Sequence, residues 1–189
     1  EIFIDYANKN NIKYVVGSEN DVLARLIHCG DLVQATEIIR VTSESPFPYF
    51  EKMNEMYKKF SSLNLDALFY DNIVDGCGFE FISLNALKQS HIQGEDRHRS
   101  ELCTLFIREN LDNFKILKES PDSKYNRLDL RLTVDYPEDL VVCRRVYEHI
   151  KEQGTTFDLD NIITFLDSNP SLKALIQPYT EEGYSLMYK

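Results

Sequence analysis

Apolar and polar positions fall into blocks along the chain, and the period of the pattern changes from block to block. The segment Glu1 to Asn11 reads as the end of a helix. The apolar run Ile12–Val16 reads as a short strand broken by Gly17. Ser18 is placed to cap the next helix, with Glu19 and Asp21 in a first turn where the helix dipole favours acids. Val22, Leu23, Leu26, Ile27 and Val33 give that helix an apolar stripe at the 3.6-residue period. A strand over Glu37–Val41 follows, then a loop from Thr42 to Pro48, then a helix through Tyr49–Met53. Further strands are expected at Asp66–Tyr70, at Phe79–Ile82 after the Asp75-Gly76 turn, at Phe114–Leu117 and at Leu130–Val134. Between them, Ser83 caps a short helix ending near His91, and a longer helix covers Ser100 to Asn110. A strong helix begins at Pro137.

Strands alternate with helices over most of this length, which argues for an α/β sandwich around a mostly parallel or mixed sheet. From Gly154 the pattern becomes purely helical. One helix runs from Phe157-Asp158 through Leu166, Asn169-Pro170 punctuates it, and Leu172, Leu175 and Ile176 mark a second short helix. We therefore expect an α/β domain over residues 1–153 and a helical extension over 154–189 packed on the same domain. Active sites of such folds lie beyond the carboxyl ends of strands, so polar residues just after a strand carry the interest.

Composition changes the picture in two ways. With 31 acids against 21 bases, the net charge is −10, which argues against nucleic acid as a partner because phosphate neutralisation dominates that affinity. No apolar run is long enough to span a bilayer, so no membrane partner is expected and the location is read as cytoplasmic. The four cysteines (Cys29, Cys77, Cys103 and Cys143) contain no C-x-x-C pair and read as free thiols. The phosphate-loop and dinucleotide glycine motifs are both absent, as is a nucleophile elbow.

The sharpest segment is Arg131-Leu132-Thr133-Val134-Asp135-Tyr136-Pro137-Glu138-Asp139-Leu140. An apolar strand ends in Asp135, and Pro137 sits where a first helical residue would. Asp139 is placed to reach back to an orphan amide of the helix start. Asp135 is then an additional strand-end carboxylate, suited either to capping or to a metal. The segment resembles the strand–Asp–Thr–Pro–Glu–Asp–Leu motif of the cytidylyltransferases that activate acidic sugars, in the branch typified by spore-coat polysaccharide biosynthesis proteins. Tyr136 stands where that family has Thr. The stretches Gly17–Arg25, Arg40–Pro46, Asp75-Gly76 with Glu80, Phe106–Asn110, and the tail with Asn169-Pro170 and Glu182-Gly183-Tyr184 resemble the family in the same order.

The resemblance implies a nucleotide-diphospho-sugar transferase-like fold, a three-layer sandwich with a mostly parallel mixed sheet. It implies Mg2+ as cofactor, held by Asp135 and, at the position of the second carboxylate, Glu44. Glutamate keeps the hard oxygen that magnesium prefers, but its extra methylene shifts the geometry. Asp75 and Glu80 fall near the sugar, and Arg25, Arg97 and Arg99 are candidates for ligand anions, since arginine reads carboxylate and phosphate bidentately. Gly78 replaces an Asp and Ser43 a Gly of the family pattern. Gly76-Cys77-Gly78 suits either a plain bend or a close approach of backbone to substrate. His98 has no evident partner in the sequence, and the basic run around it also suits a solvated patch.

The implied activity is transfer of CMP from CTP to a sugar or sugar acid for surface polysaccharide, with homodimerisation implied by resemblance. The family's first strand, its basic triphosphate-binding loop and the following helix would precede Glu1. This polypeptide is therefore expected to carry only the metal and sugar side and not to turn over CTP by itself. The rival expectation is a non-catalytic relative that binds or scaffolds within a polysaccharide pathway, since Ser43, Glu44 and Gly78 all depart from the pattern.

Overall fold

A computed structural model describes residues 2–186, with side chains through Glu181. Glu1, at the head of the expected first helix, and the side chains of Glu182-Gly183-Tyr184 lie outside the described residues. Contacts gather the chain into two compact units, one of residues 1–38 and 82–115, the other of residues 39–81 and 116–189.

The first unit holds α1 (Ile2–Lys9), α2 (Val22–Leu32), α4 (Leu84–Gln93) and α5 (Leu105–Glu109). Ile12–Val16 is not a strand. Its apolar side chains are 52% (Ile12), 44% (Tyr14) and 68% (Val16) exposed, and no strand of the described residues pairs with it. An apolar run makes a strand only when a neighbour takes its backbone hydrogen bonds. α2 is capped by Asp21 rather than Ser18, because the Asp21 carboxylate accepts from the Ala24 amide at 2.8 Å. α4 starts at Ser83 as expected, with its hydroxyl accepting from Ala86 N at 3.1 Å. Gly30 lets α2 and α4 pack closely, since a Cβ there would lie 2.7 Å from a Leu84 methyl. The helix expected from Ser100 to Asn110 shrinks to α5. Residues 96–99 form a 3-10 turn, and the Ser100 hydroxyl accepts from Leu102 N, a local bond that competes with helix.

The second unit contains α3 (Met53–Ser62), β2 (Ala67–Tyr70), β4 (Ile116–Glu119), α6 (Pro137–Gln153), α7 (Leu159–Asp167) and α8 (Pro170–Leu186). β1 (Glu37–Arg40) and β3 (Phe79–Ser83) begin or end in it. The expected α/β fold with a mixed sheet is present, in the order β1-β3-β2-β4. β2 and β4 pair in parallel, with Ala67 opposite Ile116 and Tyr70 opposite Glu119. The connection 71–78 is far shorter than the roughly twelve residues a parallel crossover needs, so β3 returns against β2 and the mixture leans antiparallel. β4 starts two residues later than expected.

Leu130–Val134 is extended but is not a strand. Its one ladder contact is an isolated parallel bridge between Arg131 and Asp75. Leu130 through Thr133 are buried, as a central strand would be, but the backbone bonds of the segment go to two different partners, Leu132 N to the Asp75 carbonyl and Val134 N to the Glu44 carbonyl, so no continuous ladder forms. Its neighbour is the Asp75-Gly76 turn. Gly76 has φ +85°, and a Cβ there would sit 2.6 Å from the Leu132 carbonyl, so only glycine allows this approach. The glycine pair therefore admits the chain's own backbone.

α6 buries Val142, Cys143, Val146 and Ile150 on one face. That face meets α7 through Leu159, Ile162 and Leu166 and α8 through Ile176, all in one continuous core. α8 is longer than expected because Pro170 takes its first turn, where a missing donor is harmless, and the helix continues past Pro178. Arg127 fastens these helices to the preceding loop. It donates to Asp129 at 2.7 and 2.8 Å and to Asp167 at 2.7 and 2.8 Å, and Lys173 reaches both acids at 3.2 and 3.0 Å. None of the four cysteines is paired in a disulfide. Among the described residues no helix is long and apolar enough to cross a membrane.

The hydrogen bonds from Arg127 hold the Asp129 carboxyl down at about 2, below its ordinary 3.8. A carboxylate with a depressed folded pKa adds stability above its unfolded pKa and loses it as pH falls through the folded value. Thermal melts across roughly pH 2 to 5 should show an acid limb that is shallower in Asp129→Asn than in the parent. The side chain is half exposed, so added salt should narrow the difference. Identical limbs at low salt would mean that the network contributes nothing.

Candidate functional site

A guanidinium in the interior must be met by acceptors on several sides, because its desolvation costs several kcal/mol. Arg131 is 3% exposed, and three aspartates meet it. Its Nε donates to both carboxylate oxygens of Asp139 at 3.0 and 3.1 Å. Its Nη1 donates to Asp75 at 2.8 Å, and its Nη2 donates to Asp135 Oδ2. Each acid arrives for a local reason. Asp75 precedes the glycine that lets residues 130–133 lie against the turn, and its carbonyl accepts from Leu132 N at 2.8 Å. Asp139 is the third residue of α6 and accepts from the Asp135 and Tyr136 amides at 3.0 Å each. The expected capping role of Asp139 is therefore present, with an ion pair added to it.

Asp135 differs from the other two. Asp75 and Asp139 are sealed in, whereas the Asp135 side chain is 49% exposed. Thr133 Oγ1 donates to the same Oδ2 at 3.3 Å, so Asp135 is oriented through one oxygen from inside while the residue faces solvent. Glu44 lies on the adjoining segment. Its carbonyl accepts from Val134 N at 2.9 Å, and its exposed carboxylate meets the Ser43 hydroxyl at 3.5 Å. Two candidate metal carboxylates thus sit on neighbouring backbone segments.

Burial pushes the Asp75 carboxyl above its ordinary range. Arg131 opposes that rise, and the nearby Asp135 and Asp139 add to it. Burial disfavours the charge on Arg131, but the carboxylates of Asp75, Asp139 and Asp135 outweigh it and keep the guanidinium charged. One guanidinium facing three carboxyl groups leaves the cluster short of positive charge, which suits a cation at its exposed edge.

No group of three or more metal-ligating side chains occurs among the described residues. Magnesium, however, is commonly held by one or two carboxylates plus substrate phosphates, with waters retained. The donors available from Asp135 and Glu44 are hard oxygens of that kind, so the residues fit such an ion bound together with a nucleotide.

The other candidate residues have well-defined surroundings. Glu80 is buried and paired with Arg40 at 3.2 Å. Asp75 and Glu80 thus face the protein's own arginines. In the first unit, Arg97 is gripped by Glu109 at 2.5 and 2.7 Å and touches Glu95 at 3.1 Å. Arg99 reaches Asp96 at 3.4 Å. His98 has a partner after all. Its Nδ1 accepts from Glu95 N at 2.7 Å, which leaves the proton on Nε2 to donate to Glu109 at 2.9 Å. Hydrogen bonds from Arg97 and His98 hold Glu109 down at about 2. Arg25 lies against Gly17, where a Cβ would come within 2.9 Å of its Cγ, and its guanidinium has no hydrogen-bond or ion-pair partner among the described residues. Sequence reasoning missed Arg131 as the organiser. The available signal was a lone charge between Leu130 and Leu132, four residues before Asp135.

Replacing Arg131 with Met should lower the unfolding free energy by about 3–5 kcal/mol in urea, because Asp75 and Asp139 are left buried and unpaired. Asp135→Asn at the exposed edge should change it by less than about 1 kcal/mol. Equal losses in the two variants would contradict the division of roles between them.

Comparison with known proteins bears on this geometry. No family model matches the chain. The uncharacterized protein MJ1063 of Methanocaldococcus jannaschii is 25% identical over 181 residues, which span 96% of this chain and 74% of the relative. The spore coat polysaccharide biosynthesis protein SpsF of Bacillus subtilis is 26% identical over 163 residues, or 86% of this chain and 68% of that protein. The solved structure of a cytidylyltransferase from Leptospira borgpetersenii superposes with a TM-score of 0.77 at 21% identity, over 90% of this chain and 72% of that one. The chain thus has an α/β fold with a mixed sheet that matches the fold of a cytidylyltransferase, and it is distantly similar in sequence to SpsF.

Proposed function

We propose that this chain carries the metal and sugar side of a nucleotidyltransferase that moves CMP from CTP onto a sugar or sugar acid, for use in surface polysaccharide. The carrying observation is the placement of Asp135. It is oriented from within by Arg131 and Thr133, faces outward, and lies beside the segment of Glu44. The shared fold and the distant similarity to a polysaccharide biosynthesis protein support the reading.

In this proposal Asp135 and Glu44 would hold Mg2+ together with the triphosphate. The ion would supply charge neutralisation at the α-phosphate. A sugar hydroxyl oxygen bonds to the α-phosphorus and gives up its proton to solvent. The bond from that phosphorus to the bridging oxygen breaks, and pyrophosphate leaves. Arg131 contributes by holding Asp135 still, so that its free oxygen is preorganised and pays little ordering entropy on binding. Asp75 and Glu80 act through Arg131 and Arg40, shaping the sugar side from behind. Among the arginines proposed for ligand anions, Arg25 is unengaged, whereas Arg97 and Arg99 already touch acids and would have to exchange partners.

The test is pyrophosphate release from CTP by the full-length protein with a panel of sugar acids and magnesium. Asp135→Ala should cut turnover by about two orders of magnitude or more while leaving the thermal midpoint nearly unchanged. Glu44→Gln should raise the magnesium concentration needed for half-maximal turnover. If the parent binds no CTP at any magnesium concentration, the enzyme reading fails and a non-catalytic binding or scaffolding subunit replaces it.

A further inference from the structure

A concave feature separate from Asp135 lies in the unit that contains it. It is a pocket of ≈ 580 Å³ between the segment 46–50, the start of α6 and Phe157. That volume is in the range of small-molecule sites, roughly 300–1,000 Å³. Its walls are preformed. Phe47 stacks on Phe157 with centroids 6.3 Å apart and 14° between planes, and Tyr147 stacks on Phe157 at 5.4 Å and 23°. Two prolines flank Phe47 and stiffen its backbone. Val134 and the buried Cys143 complete the inner surface, and Phe50, Leu140 and Tyr147 leave about half of their surface to water around the mouth.

The lining contains no acid and one base. Arg144 is exposed and has no hydrogen-bond or ion-pair partner among the described residues. In a chain of net charge −10, an unpaired guanidinium beside an apolar hollow selects an occupant by charge as well as by shape. A single arginine suits a monoanion, and its planar fork matches a carboxylate.

We propose that this pocket binds a small amphipathic carboxylate, with the apolar body between Phe47, Phe157 and Val134 and the carboxylate on Arg144. The occupant would lie beside the Glu44–Asp135 pair, since Val134 precedes Asp135 and Pro46 follows Glu44 by two residues. Its binding does not depend on a metal or on nucleotidyl transfer.

Octanoate serves as the probe, with octylamine and octanol as charge controls, in calorimetric titrations of the full-length protein without magnesium. Octanoate should bind saturably at one site and more tightly than either control. Arg144→Gln should weaken it about fivefold, as expected for a partly exposed ion pair. Leu140→Trp fills the mouth from a half-exposed position and should abolish binding of all three. Asp135→Ala should leave octanoate binding unchanged, which separates this site from the proposed transferase chemistry. Octylamine binding as tightly as octanoate, undiminished binding to Leu140→Trp, or no saturable binding would each overturn the proposal.

Discussion

The guanidinium of Arg131 is the interaction on which the rest of the second unit depends. A buried ion is tolerated only when its donors are met in good geometry, and this one reaches three carboxylates, two from the segment that follows it and one from a turn far earlier in the chain. Asp75 brings the turn after β2, Asp139 brings the first turn of α6, and Asp135 brings the junction between them. Apolar packing alone could slide these segments past one another at little cost. Fixed donor directions on a planar fork do not slide, so the cluster sets register where no continuous strand ladder is present.

That arrangement also divides labour among acids that look alike in sequence. Asp139 satisfies two backbone amides and the guanidinium, which leaves it nothing to offer a ligand. Asp75 is sealed, and burial raises its pKa. Asp135 gives one oxygen to the interior and keeps its face toward solvent. Glu44 arrives beside it through a backbone bond rather than a side-chain contact, so its longer side chain is free to adjust its reach. The departures from the family pattern at Ser43 and Glu44 fall on this exposed loop, where a changed side chain disturbs no packing.

The tail helices are part of the same construction. Tyr136, which stands where the related motif has Thr, stacks on Tyr179 of α8 with centroids 4.1 Å apart, and the Arg131 guanidinium lies 5.6 Å from its ring centroid. The tyrosine thus replaces a capping hydroxyl with an aromatic contact that joins α8 to the candidate site. On the other flank, α6 presents Leu140, Arg144 and Tyr147 to the aromatic pocket, Val142, Val146 and Ile150 to the core, and Cys143 to both. One helix therefore supports both the candidate site and the pocket.

Much of this was legible from the residues alone. The 3.6-residue stripe of α2, the Ser83 cap, the start of α6 at Pro137 and the strand-end acid at Asp135 are local properties, decided within a few residues by propensity, capping and period. The motif around Asp135 pointed to the fold before any coordinate was known. What local pattern could not decide was anything that needs a partner distant in sequence. Ile12–Val16 has the composition of a strand but no neighbour to pair with among the described residues, and Leu130–Val134 has the composition of a strand but divides its backbone bonds between Asp75 and Glu44. The role of Arg131 was invisible because its meaning lies in Asp75, fifty-six positions earlier. An isolated charge in an apolar run is unfavourable by itself, and only the tertiary structure, by folding Asp139 and Asp135 back onto it and bringing Asp75 from across the chain, made it the centre of the site.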